Sequence, residues 1–114
     1  MNIEKIKQKD IILVSLSPTV GHEQCGTRPA VVVSAEAYHV SGMCLMCPLT
    51  QKLKKFFGDV ILKPNQENKL DKESEILVGQ IRAVDQKRII KNIGKISDNE
   101  LERCLIGLNA LCGK

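Results

Sequence analysis

The chain has 114 residues, a formal net charge of +4 and 43% hydrophobic residues, which suits one domain over residues 1–114 and excludes two separate cores. Tryptophan is absent and aromatic residues are few, so the core is expected to be aliphatic. No apolar run is long enough to cross a bilayer, and five scattered cysteines fit a reducing cytoplasm better than a disulfide framework. The moderate positive charge suits an anionic partner such as RNA without establishing one.

A polar loop lies between two β-branched runs near the N-terminus. Asp10–Leu16 and Ala30–Ser34 are predicted to be buried strands. Between them, Pro18–Ala30 carries two glycines, a carboxylate, an imidazole and an arginine. Arg28 precedes a proline, which favours an extended backbone, and its planar guanidinium matches two phosphate oxygens. Without further information, a linker with one salt-bridged arginine is the simpler interpretation.

A serine-capped helical turn is predicted over Ser34–Ser41, where His39 is expected to be a solvated loop residue. The apolar run Met43–Leu49 predicts the next strand, with Thr50 at its end. Cys44 and Cys47 have a spacing that zinc sites use, but no second pair accompanies them and the odd spacing places them on opposite strand faces. We therefore predict no metal site.

Gln51–Phe57 combines three lysines with two adjacent aromatic residues. Lysines neutralise phosphates and an exposed aromatic ring stacks on a splayed base, but a solvated loop with one buried phenylalanine fits equally well. A strand is predicted over Gly58–Leu62, followed by a long surface connection over Lys63–Glu75.

Two more strands are predicted before the C-terminus, over Glu75–Asp85 and Arg88–Gly94. Within the first of them, Gln80 and Arg82 would share a face and meet one ligand. Equally, Arg82 would only pair with a nearby carboxylate such as Asp85.

The C-terminal segment is the clearest helix. Ser97–Glu100 is a capping box, and Gly113 provides a stop. Apolar residues recur with helical spacing and are expected to pack on the sheet: Leu101, Cys104, Leu105, Leu108, Leu111 and Cys112. The fold class is therefore mainly β with one C-terminal helix (α+β), arranged as a small, strongly curved, mostly antiparallel barrel.

Four blocks of this sequence resemble the MazF/PemK family of bacterial endoribonuclease toxins. They are Pro18–Ser34, Gly42–Thr50, Leu77–Asp85 and the amphipathic tail after Gly94, in the family's order and at similar spacing. The resemblance implies the small SH3-like barrel of the MazF/PemK/CcdB type. It also implies a cytoplasmic, metal-independent and sequence-specific endoribonuclease, an mRNA interferase, that cleaves single-stranded RNA and belongs to a type II toxin–antitoxin pair.

The resemblance also implies a catalytic set without a cofactor. A ribonuclease that uses the RNA 2′-hydroxyl as nucleophile needs a base, donors for the developing negative charge, and an acid for the leaving oxygen. By resemblance, Arg28 would hold the scissile phosphate, Thr50 would bind a phosphate oxygen, and Glu23 would move a proton or orient Arg28. His22 stands where the family commonly has a small residue; it would be a supplementary acid or base, or a neutral replacement.

Further RNA contacts are expected from polar, basic and aromatic residues near these positions: Gln24, Thr27, Gln51, Lys52, Lys54, Lys55, Phe57, Gln80 and Arg82. The resemblance also implies a homodimer and an antitoxin whose acidic flexible tail occupies the same basic surface. Two alternatives stay open at this point. A CcdB-like toxin would bind DNA gyrase without catalysis, although those toxins share a tryptophan that is absent here, and a related barrel would bind RNA without cutting it.

Overall fold

Residues 5–16 and 26–113 are described by a computed structural model. Within these ranges the chain forms β1 (Asp10–Ser15), β2 (Thr27–Val32), α1 (Glu36–His39), β3 (Met43–Thr50), β4 (Val60–Leu62), β5 (Ser74–Ile76), β6 (Arg82–Asp85), β7 (Ile89–Lys95) and α2 (Asp98–Leu111). Short 3-10 turns cover Val78–Gln80 and Gln86–Arg88.

The described strands form one antiparallel sheet in the order β4-β5-β3-β2-β1-β7, with β6 also paired to β3. The eight-residue β3 is central, because β2 pairs with one of its edges while β5 and β6 share the other. The sheet is not closed, which is compatible with a barrel-like fold. The predicted fold class, mainly β with a C-terminal helix, is confirmed.

Both faces of the central strands are buried. On β1, Ile11 belongs to one apolar cluster and Ile12 to another; on β3, Cys47 belongs to the first and Cys44 to the second. Successive side chains of a strand point to opposite faces, so this division follows from the strand geometry. The predicted opposite placement of the two cysteines is confirmed, and the two clusters are aliphatic.

The prediction for His39 was wrong. Its side chain is buried in α1, and its Nε2 lies 2.7 Å from the Ser34 hydroxyl, which also accepts a hydrogen bond from the Leu45 backbone N–H. Ser34 therefore links α1 to β3 instead of capping the helix, and the N-cap is Ala35, whose side chain makes no cap bond. A buried polar pair of this kind gives no periodic signal in the sequence.

Glu75–Asp85 is not one strand. It divides into β5, the 3-10 turn Val78–Gln80 and β6, so Gln80 lies in a turn while Arg82 begins a strand opposite Met46. The period of two cannot place both side chains on a common face, and that prediction was wrong.

Helix α2 begins with the predicted capping box, since Ser97 and Glu100 exchange both hydrogen bonds. Its contact face differs from the predicted stripe. Cys104 and Gly107 are buried, whereas Leu105 and Leu111 remain 42% and 41% exposed and Cys112 is also exposed. A Cβ atom at Gly107 would lie 2.0 Å from the Gly58 carbonyl oxygen, so the missing side chain lets the helix approach the chain before β4.

Candidate functional site

Arg28 and Thr50 come together at one end of the β2–β3 pair. The register sets Ala30 opposite Pro48, and its continuation by two residues sets Arg28 opposite Thr50. Both side chains line a groove of about 800 Å³. Two residues separated by 22 positions in sequence, and assigned to the same phosphate by resemblance, thus share one groove.

The groove is predominantly cationic. Its charged residues are Arg28, Lys52, Lys54, Lys69 and Asp71, and its other lining residues are Pro29, Leu49, Thr50, Gln51, Leu70, Ser74 and Ile93. Within the described part of the chain, the lysines at 52, 54 and 69 make no salt bridge. Four positive side chains against one carboxylate favour a polyanionic ligand, and the open lysines remain available to its phosphates.

The Thr50 hydroxyl is oriented by the backbone that follows it. Its oxygen accepts a hydrogen bond from the Lys52 N–H at 3.1 Å. Because that bond uses the oxygen as acceptor, the hydroxyl proton can be donated to a phosphate oxygen in the groove. A donor aimed at a fixed point stabilises charge that develops there.

One wall of the groove, which we call the basic wall, consists of residues 51–57. The two phenylalanines are exposed, Phe56 by 54% and Phe57 by 73%, so the alternative with one buried ring is wrong. Lys54 Nζ lies 5.7 Å from the Phe56 ring centroid, within the range of a cation–π contact. Gln51 Nε2 donates to Asp71 Oδ1 at 3.3 Å across to the opposite wall.

The buried side chain of Glu75 holds the backbone of the basic wall. Its Oε1 accepts the backbone N–H groups of Lys54 at 2.6 Å and Lys55 at 2.8 Å, and its Oε2 accepts that of Phe56 at 3.1 Å. Glu75 is fully buried and lies opposite Thr50 in the β3–β5 ladder. A carboxylate that satisfies three consecutive donors is a strong anchor for a loop.

Asp59 is half-buried beside Glu75, where the two carboxyl groups can share a hydrogen bond when one of them holds a proton. Burial raises the pKa of Asp59 to about 7, and the bond to Glu75 adds to the rise. For Glu75, burial alone would raise the pKa, but the hydrogen bonds from Asp59 and the basic wall outweigh burial and hold the pKa below its ordinary value. The pair therefore favours one proton on Asp59 and an ionised Glu75.

The opposite wall, which we call the amide wall, consists of residues 63–71 and was predicted only as a surface connection. Asn68 is fully buried there: its Oδ1 accepts the N–H groups of Asn65 and Leu70, both at 3.0 Å, and its Nδ2 donates to the Lys63 carbonyl oxygen at 2.8 Å. This arrangement directs Lys69 and its neighbours into the groove. The Pro64-Asn65 turn signal was readable in the sequence, but the buried amide was not.

The other predicted contacts are distributed around this groove. Gln51, Lys52 and Lys54 line it, whereas Thr27, Lys55, Phe57, Gln80 and Arg82 do not. Thr27 is exposed at the start of β2. His22, Glu23 and Gln24 lie outside the described residues, so their roles stay predictions.

The buried cysteines of β3 and α2 have unreactive thiols. Burial raises the pKa of Cys44 to about 11 and the pKa values of Cys47 and Cys104 to about 12, so these thiols stay neutral at physiological pH. In residues 5–16 and 26–113, no three His, Cys, Asp or Glu side chains are grouped so that they could hold a metal ion.

Comparison with known proteins bears on what this groove does. A family model described as PemK-like, MazF-like toxin of type II toxin–antitoxin system matches residues 7–112. The chain belongs to this toxin family. A curated relative, the endoribonuclease toxin ChpB of Escherichia coli (strain K12), is 35% identical over 111 residues and covers 94% of both chains.

Solved structures of this toxin family share the fold. The MazF structure from Deinococcus radiodurans superposes with a TM-score of 0.83 at 28% identity, covering 96% of this chain and 97% of that one. A MazE–MazF structure from the same organism gives 0.76 at 27% identity, with 96% of each chain covered. In the described part of the chain, no helix has the length and apolar character needed to span a membrane.

Proposed function

We propose that this toxin is a metal-independent endoribonuclease that cleaves single-stranded RNA at a specific sequence, with the 2′-hydroxyl as nucleophile. One observation carries the proposal: Arg28 and Thr50 line the same cationic groove, whose lysines make no salt bridge within the described chain. The 35% identity to an endoribonuclease toxin over 94% of the chain supports the same activity.

The proposed reaction uses the RNA's own 2′-hydroxyl as nucleophile. The 2′-oxygen attacks the adjacent phosphorus, the bond from phosphorus to the 5′-oxygen breaks, and the products are a 2′,3′-cyclic phosphate and a 5′-hydroxyl. Arg28 holds the non-bridging oxygens with its guanidinium, and the Thr50 hydroxyl donates to one of them. Since an arginine side chain stays charged at neutral pH, Arg28 serves as an electrostatic clamp and not as a proton shuttle.

Proton transfer is assigned to the segment just before Arg28. Glu23 takes the proton of the 2′-hydroxyl or orients Arg28, which it precedes by five positions in the sequence. The imidazole of His22 is chemically suited to return a proton to the 5′-oxygen, because its ordinary pKa of about 6.5 is close to neutral pH. A small effect of His22→Ala on the rate and its pH profile would identify His22 as a neutral replacement.

The groove suits an unpaired strand. Lys52, Lys54 and Lys69 follow the phosphates in the groove, while Phe57, exposed beyond it, offers a surface on which a splayed base stacks. Gln24, Thr27, Lys55, Gln80 and Arg82 complete the proposed RNA contacts beyond the groove.

The same surface suits the acidic, flexible tail of a cognate antitoxin. A mycobacterial endoribonuclease has been solved with its cognate antitoxin, and the MazE–MazF structures are named for such pairs. We further place the toxin in the bacterial cytoplasm as a homodimer, as the family resemblance implies; sedimentation of the purified protein tests the dimer.

The test is incubation of purified protein with a long single-stranded RNA in excess EDTA, beside Arg28→Ala, with cut ends mapped by primer extension. We expect discrete cuts that persist in EDTA and fall by about 10²–10³-fold in the variant, the range seen when a donor to a developing negative charge is removed. Arg28 is exposed, so circular dichroism should show both proteins equally folded. Intact RNA with folded wild-type protein would contradict the proposal and favour a protein target such as gyrase.

A further inference from the structure

The backbone of the basic wall is strained at Lys55. Its φ is +54°, in the left-handed region that non-glycine residues rarely adopt. Such a conformation persists only where its surroundings hold it, and the Glu75 carboxylate does so by binding the N–H groups of residues 54, 55 and 56. Lys54, next to the strained residue, and Lys52 both line the groove. Lys52 also orients the Thr50 hydroxyl through its backbone N–H.

The protonation state of Asp59 affects how firmly the Glu75 carboxylate holds residues 54–56. Asp59 Oδ1 accepts the Val78 N–H at 2.9 Å, but its buried Oδ2 meets no hydrogen-bond partner among the described residues when it is a carboxylate. With a proton on Oδ2, the same atom becomes a donor to Glu75. Two ionised carboxylates in this site would repel each other and weaken the hold on the loop.

Besides Glu75, the titratable groups that face Asp59 within residues 5–16 and 26–113 are two thiols. Cys47 from β3 and Cys104 from α2 lie close enough to interact with it, and both thiols stay neutral because burial raises their pKa values to about 12. Asp59 also accepts hydrogen bonds from the backbone N–H groups of Val78 and Gly79. Glu75 is therefore the charged group that an ionised Asp59 would repel.

We propose that Glu75 is a positioning residue: its carboxylate, bound by the backbone N–H groups of residues 54–56, fixes the basic wall in the shape that presents Lys52 and Lys54 to RNA. A proton on Asp59 supports this hold, because an ionised Asp59 would repel the Glu75 carboxylate. Glu75 lies under the groove wall and touches no substrate, so it acts through the loop. The activity readouts of this proposal rest on the proposed nuclease function, whereas the order of the loop can be measured without RNA.

The experiment compares wild type, Glu75→Gln and Asp59→Asn by residue-resolved amide hydrogen exchange and by steady-state RNA cleavage from pH 6 to 8.5. Glutamine places an N–H₂ group among three N–H donors. We therefore expect Glu75→Gln to lose protection at residues 54–56 by about tenfold or more. We also expect its KM for RNA to rise by about tenfold with a smaller change in kcat, because Arg28 and Thr50 lie on strands that Glu75→Gln leaves paired.

Asp59→Asn tests the role of the Asp59 proton. The asparagine N–H₂ group donates to Glu75 at every pH, whereas Asp59 can donate only while it is protonated. In wild type, protection of residues 54–56, corrected for the intrinsic exchange rate, should fall as pH rises through about 7. Asp59→Asn should keep its protection across the range. The amides of residues 65–70 are an internal reference and should not change in either protein.

The outcomes separate the two proposals. Equal pH profiles for wild type and Asp59→Asn, or full protection and an unchanged KM in Glu75→Gln, would overturn the positioning role. RNA left intact by every variant would overturn the nuclease function alone, because amide exchange still decides whether Glu75 holds the loop. If Glu75→Gln does not fold, the comparison of wild type with Asp59→Asn across pH decides.

Discussion

The two walls of the groove are held in place by buried polar side chains of different chemistry. Each wall contains a lysine held at φ +54°, Lys55 in the basic wall and Lys69 in the amide wall, and each is organised by one fully buried polar side chain. The basic wall uses the carboxylate of Glu75, whereas the amide wall uses the neutral amide of Asn68. A carboxylate titrates and an amide does not, so the anchor of the basic wall should respond to pH and that of the amide wall should not.

Both walls also depend on a glycine packed against backbone, and the largest effects are expected there. A Cβ at Gly107 would lie 2.0 Å from the Gly58 carbonyl oxygen beside the basic wall, and one at Gly94 would lie 2.6 Å from the Glu67 carbonyl oxygen in the amide wall. We expect Gly107→Ala to lower the free energy of unfolding by about 3 kcal/mol and Gly94→Ala by about 2 kcal/mol, measured by urea denaturation. An exposed helical glycine normally gains stability on mutation to alanine, so a more stable Gly107→Ala would refute the close contact.

Removing the buried amide should disorder the second wall alone. Asn68→Ala leaves the N–H groups of Asn65 and Leu70 and the Lys63 carbonyl without their partner, which we expect to cost about 2 kcal/mol at any pH between 5 and 8. The matched control is Asn109→Ala on the exposed side of α2, expected within about 0.5 kcal/mol of wild type. Equal losses in the two variants would deny the amide its organising role.

A smaller effect is expected from pH on wild-type stability. The pKa of Asp59 is raised to about 7 in the folded protein, so the folded state holds its proton more tightly than the unfolded chain. The contribution is therefore complete below pH 3.8, declines as pH rises, and is lost above about 7. Glu75 acts in the opposite sense, because its lowered pKa stabilises the fold above 4.5 and that contribution is lost as pH falls through the folded value. Denaturation curves from pH 4.5 to 8 should show stability falling in wild type and less so in Asp59→Asn.

The smallest effect is expected from a single lysine of the amide wall. Lys69→Ala should weaken RNA binding several-fold and reduce the slope of log affinity against log salt by about 0.7, the value for one contact to a single strand. Lys87→Ala, an exposed lysine outside the groove, is the control and should match wild type. Filter binding at several salt concentrations measures both, and identical slopes for all three proteins would remove Lys69 from the RNA path.

Periodicity and local chemistry predicted most of the frame. The apolar run of β3, the capping box of α2 and the placement of Thr50 at a strand end were all readable, because each depends on residues close in sequence. Arg28 beside Thr50 was reached by resemblance, and the register later supplied the geometry.

What the sequence did not reveal depends on distant partners. The close packing at Gly107 has no local signal, because its partner, Gly58, is 49 positions away. The break within Glu75–Asp85 was missed for a related reason. Buried Glu75 binds the backbone of the distant basic wall, and no local pattern shows that β5 ends after Ile76 and a 3-10 turn follows. Lys69 belongs to no sequence motif. It lies in the groove because the buried amide of Asn68 fixes the conformation of this turn.

The pairing of β7 with β1 has a consequence for biosynthesis. Ile93 forms part of the groove, and the Lys95 N–H binds the Glu67 carbonyl oxygen, so β7 supports the amide wall from behind. Ile11 and Gly94, which face each other across this pairing, are 83 positions apart. A nascent or truncated chain that ends before residue 93 therefore lacks one side of its groove, and the groove is complete only after β7 has been synthesised and has paired with β1.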